Sequence, residues 1–296
     1  MTTITQEAAT DGQLKSVLRK GTDATEKAIR KYFEAGVSKK GAQRVDESPE
    51  FVARIHAATV LALAELSATD KYKNEEVAST FGYLSGYTKP KPVADQLKIL
   101  REYFPELPSG DLSPIECSME GAEGIFVIPH WSLVAKTYPE AVQKVLDALK
   151  KQRKGKFYNY RSGEIDADHI RETPQKIAAM QQLRDAQKSD LLQVPAQFGI
   201  RHRGRSVRRA REVFAIAEFG LGAWEIGVML LSHPERLSNY DDLWIDCAGD
   251  EWKWTGDSEF LYAPVFRFGG GGLGFDAGGV GAAGRDYGSS SGFVPQ

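Results

Sequence analysis

"GIFVIP", Gly124–Pro129, is a short apolar run closed by a glycine and a proline, and it divides the chain into two textures. A run of this length between such ends predicts a buried strand. Before it, apolar residues recur at helical spacing. Val17, Leu18, Ala24, Ile29 and Phe33 share a loose face, and Phe51, Ile55, Ala58, Leu61, Leu63 and Leu66 mostly share another, in a segment that opens with Ser48 and Pro49 as a helix-entry pair. That second segment predicts a core helix, in which His56 is an interior or edge histidine. A further helix is expected over residues 92–103. Its mixed charges, Asp95, Lys98, Arg101 and Glu102, argue against a DNA-reading helix.

After the strand the pattern alternates. "PEAVQKVLDALKKQRKG" reads as a helix, residues 166–190 as a polar helix with Ile177, Met180 and Leu183 on its apolar side, and "DLLQVP" as a strand. A basic amphipathic helix is expected from about Ser206, with Val207, Ala210, Phe214 and Ala217 facing a core. A buried helix follows over residues 221–231, where small residues permit close packing. "LWID" and "EWKW" read as strands joined by a turn. These elements predict an α+β protein: a helical region over residues 1–112, then a mixed region over 113–296 with a mainly antiparallel sheet, an Arg-rich segment and a Gly-rich C-terminus whose aromatics favour partial docking.

The chain has 296 residues, 42% of them hydrophobic, enough for a sizeable core. Its two cysteines, Cys117 and Cys247, are too few for a disulfide framework and read as buried thiols in a reducing compartment. The first residues carry no secretory signal, and the longest apolar run falls short of a membrane span, so a soluble, cytoplasmic protein without a membrane partner is expected. No cofactor is expected either. Gly220, Gly222 and Gly227 do not make a dinucleotide fingerprint, and no phosphate-loop lysine follows them.

Charge is segregated. Residues 150–211 hold 16 basic and 6 acidic side chains, residues 212–296 hold 4 and 13, and the whole chain carries −2. Either an acidic surface folds against a basic one, or a basic surface meets an anionic partner. The basic segment has two dense parts. In the first, Lys150, Lys151, Arg153, Lys154 and Lys156 run into Phe157, Tyr158 and Tyr160, and cations beside aromatic rings are what a single-stranded nucleic acid requires. The other reading is lysines complementing a helix C-terminus beside a buried strand. In the second, Arg201, Arg203, Arg205, Arg208, Arg209 and Arg211 surround His202. Guanidinium groups suit bidentate contact with phosphate or carboxylate. The arginines therefore contact DNA or RNA, meet an acidic protein partner, or pair internally, with Asp241, Asp242, Asp250 and Glu251 as the expected carboxylates.

One enzyme-like arrangement is present, in "YDDLWIDCAGDEWKWTG". Asp246 and Glu251 could hold a divalent metal while Lys253 faces a phosphate, as in a metal-dependent phosphodiesterase or nuclease. The competing reading is a structural turn with no metal and no catalytic role. His169 receives no role, and His233, before Pro234, reads as a helix-end or loop residue, with a ligand as the alternative.

The segments "KGKFYNYR", "VPAQFGIRHRGRSVRRARE", "EFGLGA", "LLSHPERL", "WIDCAGDE" and "YGSSSGFVPQ" resemble an uncharacterised family of hypothetical proteins of small-genome, uncultivated bacteria. The resemblance spans roughly the last two thirds of the chain. It implies a natural bacterial single-chain protein and brings no activity, cofactor or site residue. The favoured functional expectation is a nucleic-acid-associated protein binding through the Arg-rich segment. The alternatives are a structural or protein-interaction protein with internally paired arginines, and a metal-dependent nuclease.

Overall fold

Thr137 and Pro139 frame the start of the longest buried helix. The Thr137 hydroxyl accepts from Glu140 N while the Glu140 carboxylate accepts from Thr137 N, a capping box that satisfies two orphan donors of the first turn. The computed structural model describes residues 11–48, 70–116 and 119–295, with residues 51, 52, 55, 59, 63 and 66 between them. His56 and Cys117 lie outside the described residues, as does most of the helix expected over residues 48–68. Of that helix's described apolar positions, Ile55, Leu63 and Leu66 are exposed, contrary to the expected core face.

The chain forms two units, Met1–Leu63 and Ala64–Gln296. In the first, α1 (Asp11–Glu34) and α2 (Lys39–Asp46) bury none of their residues. Val17 and Leu18, on the loose apolar face of α1, stay about half exposed.

The second unit is α+β, with α3 (Val93–Tyr103), β1 (Gly124–Pro129), α4 (Tyr138–Gln152), β2 (Phe157–Asn159) and β3 (Ile170–Glu172) in its first half. Next come α5 (Pro174–Gln187), β4 (Leu191–Gln197), α6 (Val207–Glu212), β5 (Glu218–Gly220) and α7 (Ala223–Ser232). The last strands are β6 (Ile245–Asp246), β7 (Asp250–Trp252), β8 (Tyr262–Gly269), β9 (Gly272–Gly279) and β10 (Ser291–Phe293). One sheet runs β1-β4-β10-β5, with neighbouring strands antiparallel throughout. The other runs β2-β9-β8-β7-β3 with β6 also on β8, and within it β2 and β9 are parallel. The Gly-rich tail is therefore docked through β8, β9 and β10.

All ten residues of α7 are buried, Glu225 and Ser232 among them, because apolar residues lie on nearly every side of the helix. It packs on α4, α3 and β1. A Cβ at Gly227 would lie 2.8 Å from both methyls of the fully buried Val145, so glycine sets how closely α7 and α4 approach. The Trp224 indole donates to Pro129 O at 2.7 Å, tying α7 to the end of β1.

Two expected helices are shorter than the pattern implies. Residues 170–172 form β3, because Ile170 and Arg171 pair with Trp252 and Glu251, and α5 starts where the Thr173 hydroxyl accepts from Lys176 N and Pro174 takes the first position. The inward face of α5 holds Lys176, Ala179, Met180 and Leu183, while Ile177 is 52% exposed. The arginine-bearing α6 ends at Glu212, because residues 218–220 are taken up as β5 by pairing with β10.

Candidate nucleic-acid interface

The Arg-rich segment leaves the end of β4 through Gly199, makes a 3-10 turn at Ile200–His202 and enters α6, which the Ser206 hydroxyl caps by accepting from Arg209 N at 3.1 Å. Its cations do not stand out as a free stripe. Arg201 Nε lies 3.2 Å from Glu218 Oε2, and His202 Nε2 lies 2.7 Å from Glu218 Oε1. Burial opposes the Glu218 charge, yet His202 and Arg201 hold its carboxyl down at about 2. Arg208 Nε donates to both oxygens of Glu75 at 2.9 and 2.8 Å, and this bond lowers the Glu75 carboxyl. Arg209, 4% exposed, meets Glu76, Glu212 at 2.9 Å and Asp70 at 3.4 Å. Arg205 lies 3.6 Å from Glu76. Arg211 donates to the carbonyls of Ala248 and Asp250 at 2.8 and 2.7 Å, and the exposed Arg203 to Phe81 O at 3.0 Å.

The carboxylates meeting these arginines are thus Asp70, Glu75, Glu76, Glu212 and Glu218 rather than the expected Asp241, Asp242, Asp250 and Glu251. The reason is local. Asp242 is buried and accepts from Leu84 N, Ser238 N and Asn239 N at 2.7 to 2.9 Å, and Glu251 faces Arg171 across the β3–β7 pair at 2.7 Å.

The other basic part behaves differently. Lys150, Lys151, Lys154 and Lys156 are exposed where α4 ends and the chain turns into β2. Among the described residues Lys150, Lys154 and Lys156 have no ion-pair partner, and the Lys151 ammonium lies 6.0 Å from the Tyr103 ring. Arg153 departs from this set: it is half-buried, and burial lowers its guanidinium from the usual range. Tyr158 and Tyr160 are 40% and 47% exposed.

Strand pairing and glycines explain how these rings sit against the sheet. Tyr158 is opposite Gly274 of β9, and Gly274 is opposite Arg267 of β8. A Cβ at Gly272 would approach the Tyr158 ring to 2.9 Å, and one at Gly274 the Tyr160 ring to 3.2 Å, so both tyrosines rest on strand positions without side chains. From there an aromatic and cationic belt continues across the sheet. The centroids of Tyr158 and Tyr160 are 6.4 Å apart, and Arg267 lies 5.1 Å from the Tyr160 ring and 5.3 Å from that of Trp244. Trp244 in turn stacks on Tyr287 at 5.0 Å. Asp276 bonds Arg267 at 3.1 Å and Arg161 at 3.0 Å, fixing the central guanidinium. Sequence reading finds Tyr158 and Tyr160 but not Arg267, Trp244 or Tyr287. A signal for Arg267 lies in "FRFGG", a cation in strand alternation beside glycines.

The three enzyme-like residues have separate partners. Asp246 is buried, and burial together with Asp286 pushes its carboxyl up to about 7. Glu251 bonds Arg171, and the Lys253 ammonium lies 5.3 Å from the Phe260 ring. Among the described residues, no group of three or more His, Cys, Asp or Glu side chains is arranged to hold a metal ion. Among the same residues, no helix is long and apolar enough to cross a membrane.

The chain matches no family model, no curated protein and no solved structure.

Proposed function

We propose that this protein binds single-stranded nucleic acid across the belt formed by Tyr158, Tyr160, Arg267, Trp244 and Tyr287, with Lys154 and Lys156 meeting phosphates at its edge. The observation that carries this reading is the pair of half-exposed tyrosines lying on glycines beside lysines without carboxylate partners. Every base has a face that a ring can stack on, and each such stack contributes about 1–3 kcal/mol. Arg267, lying between two rings, adds a planar cation. Within the Arg-rich segment, Arg201, Arg205, Arg208 and Arg209 serve this reading as supports, because carboxylates of the same chain already meet them.

The test is titration of a fluorescent single-stranded oligonucleotide at increasing salt. Affinity is expected to fall with a slope of about 0.7 per phosphate neutralised. Undetectable binding at low salt would refute the proposal. It would favour the second reading, an interaction protein stiffened by internal arginine pairs, which draws on the contacts of Arg208 and Arg209 with Glu75, Glu76 and Glu212.

A further inference from the structure

Lys176 is a lysine with no exposed surface, and what surrounds it is a set of reactive groups. Its ammonium lies 2.7 Å from Glu225 Oε2, 3.0 Å from Asp250 Oδ1 and 3.4 Å from Glu172 Oε1, and it donates to the Tyr138 hydroxyl at 2.9 Å. Glu225 and Asp250 are as buried as Lys176. A Cβ at Gly222 would collide with both Lys176 Nζ and Asp250 Oδ1, so glycine backbone closes the site on that side.

The two oxygens of Asp250 are not equivalent. Oδ1 faces the lysine, while Oδ2 accepts from the Tyr138 hydroxyl at 2.5 Å and from Ala223 N, the first residue of α7, at 2.7 Å. Two donors fixed on one carboxylate oxygen form the arrangement that stabilises an oxyanion when a nucleophile attacks the carbon. The nucleophile is held close to the carboxyl group it would attack, and water is excluded.

We infer that Lys176 and Asp250 join in an intramolecular amide bond, formed by the folded chain itself with Glu225 as the proton carrier. Glu225 Oε2 takes a proton from the ammonium, and the neutral Nζ attacks Asp250 Cγ. Negative charge gathers on Oδ2, facing Tyr138 and Ala223 N. The Nζ–Cγ bond forms, the Cγ–Oδ1 bond breaks, and Oδ1 leaves as water with two protons that began on the ammonium, one of them returned by Glu225. Oδ2 remains as the amide oxygen, and no outside reactant is needed.

The proton affinities set the cost of such a relay. Burial works against the Lys176 ammonium, but Asp250, Glu225 and Glu172 hold it above the usual lysine range, so passing its proton to Glu225 is uphill and the bond forms slowly, drawn forward by the loss of water. Burial pushes the Glu225 carboxyl up to about 7 even beside that lysine. Its Oε1 is buried without a hydrogen-bond partner and can accept from the released water. The bond would tie α5 to β7 across 74 residues of chain.

Mass spectrometry of the intact, denatured chain tests this, followed by proteolysis and sequencing of joined peptides. The expected result is a chain lighter by one water, with the Lys176 and Asp250 peptides linked. Glu225→Gln should restore the full mass while leaving the pair in place. Because that variant could fail to fold, the peptide map of the unaltered protein decides. Separate Lys176 and Asp250 peptides after prolonged incubation of the folded chain would overturn the inference and leave a buried ion cluster.

Discussion

Arg209 shows most clearly what a single side chain does in this molecule. Truncating it to alanine leaves Glu212 nearly buried beside two carboxylates that keep access to water, since Asp70 and Glu76 are 45% and 33% exposed at the side chain. The cost should therefore fall below the ~3–5 kcal/mol of a fully buried broken pair, at about 2–3 kcal/mol. Arg203→Ala, at an exposed arginine bonded to one carbonyl, should cost about 0–1 kcal/mol. Urea unfolding of the two variants checks the contrast, and equal costs would count against structural pairing. Asp246 gives a pH prediction. Its folded carboxyl is raised from 3.8 to about 7, so between those values the folded state holds a proton that the unfolded state has released. Stability should then fall as pH rises through that window, by about 1.4 kcal/mol per pH unit from this group. Asp246→Asn should flatten that part of the profile. Glu218 acts in the opposite sense: its folded carboxyl sits at about 2, so its contribution is present above 4.5 and disappears as pH falls towards 2. Sequence reading locates these cations but not their partners. Glu75 lies 133 residues from Arg208, and "NEEV" carries no mark of what it will meet.

Elements are legible where the local pattern and the tertiary environment agree. "GIFVIP" forms β1 with its expected ends, and the run that fills α7 is buried on every side because apolar residues surround most of it, its one carboxylate, Glu225, being met by Lys176. Agreement fails where non-local pairing decides. The apolar spacing extends α6 to Ala217, but β10 draws residues 218–220 into a sheet and leaves Ile216 fully exposed. Thr173 and Pro174 mark the start of α5, yet the polar pattern runs on past them towards residue 166. The inward face of that helix carries Lys176 in place of Ile177 because three carboxylates wait there. The close approach of α7 to α4 makes a prediction at this scale. Gly227→Val must displace Val145, an overpacking cost of about 1–3 kcal/mol. A gain in helix propensity of under about 0.5 kcal/mol does not offset it. A lower thermal midpoint is expected, and an unchanged or higher one would mean that the two helices separate readily.

Across the whole molecule, the steep charge segregation of the sequence resolves into two different uses of cations. Arg201, Arg205, Arg208 and Arg209 are met by Glu212 and Glu218 from the acidic segment and by Asp70, Glu75 and Glu76 from well before it, and Arg203 and Arg211 by backbone carbonyls, whereas the lysines around residues 150–156 remain at the surface. Counting charges reveals the excess but cannot divide it. The division depends on which cations the fold brings to carboxylates and which it leaves at the surface near Tyr158 and Tyr160. The most direct test compares oligonucleotide affinity in the unaltered protein, in Tyr158→Ala/Tyr160→Ala and in Lys154→Gln/Lys156→Gln, at two or more salt concentrations. The tyrosine pair should weaken binding by about 1–3 kcal/mol per ring with the salt slope unchanged. The lysine pair should reduce that slope by about 0.7 for each phosphate that is no longer neutralised. Binding that is unaffected by both pairs would contradict the belt as the nucleic-acid interface.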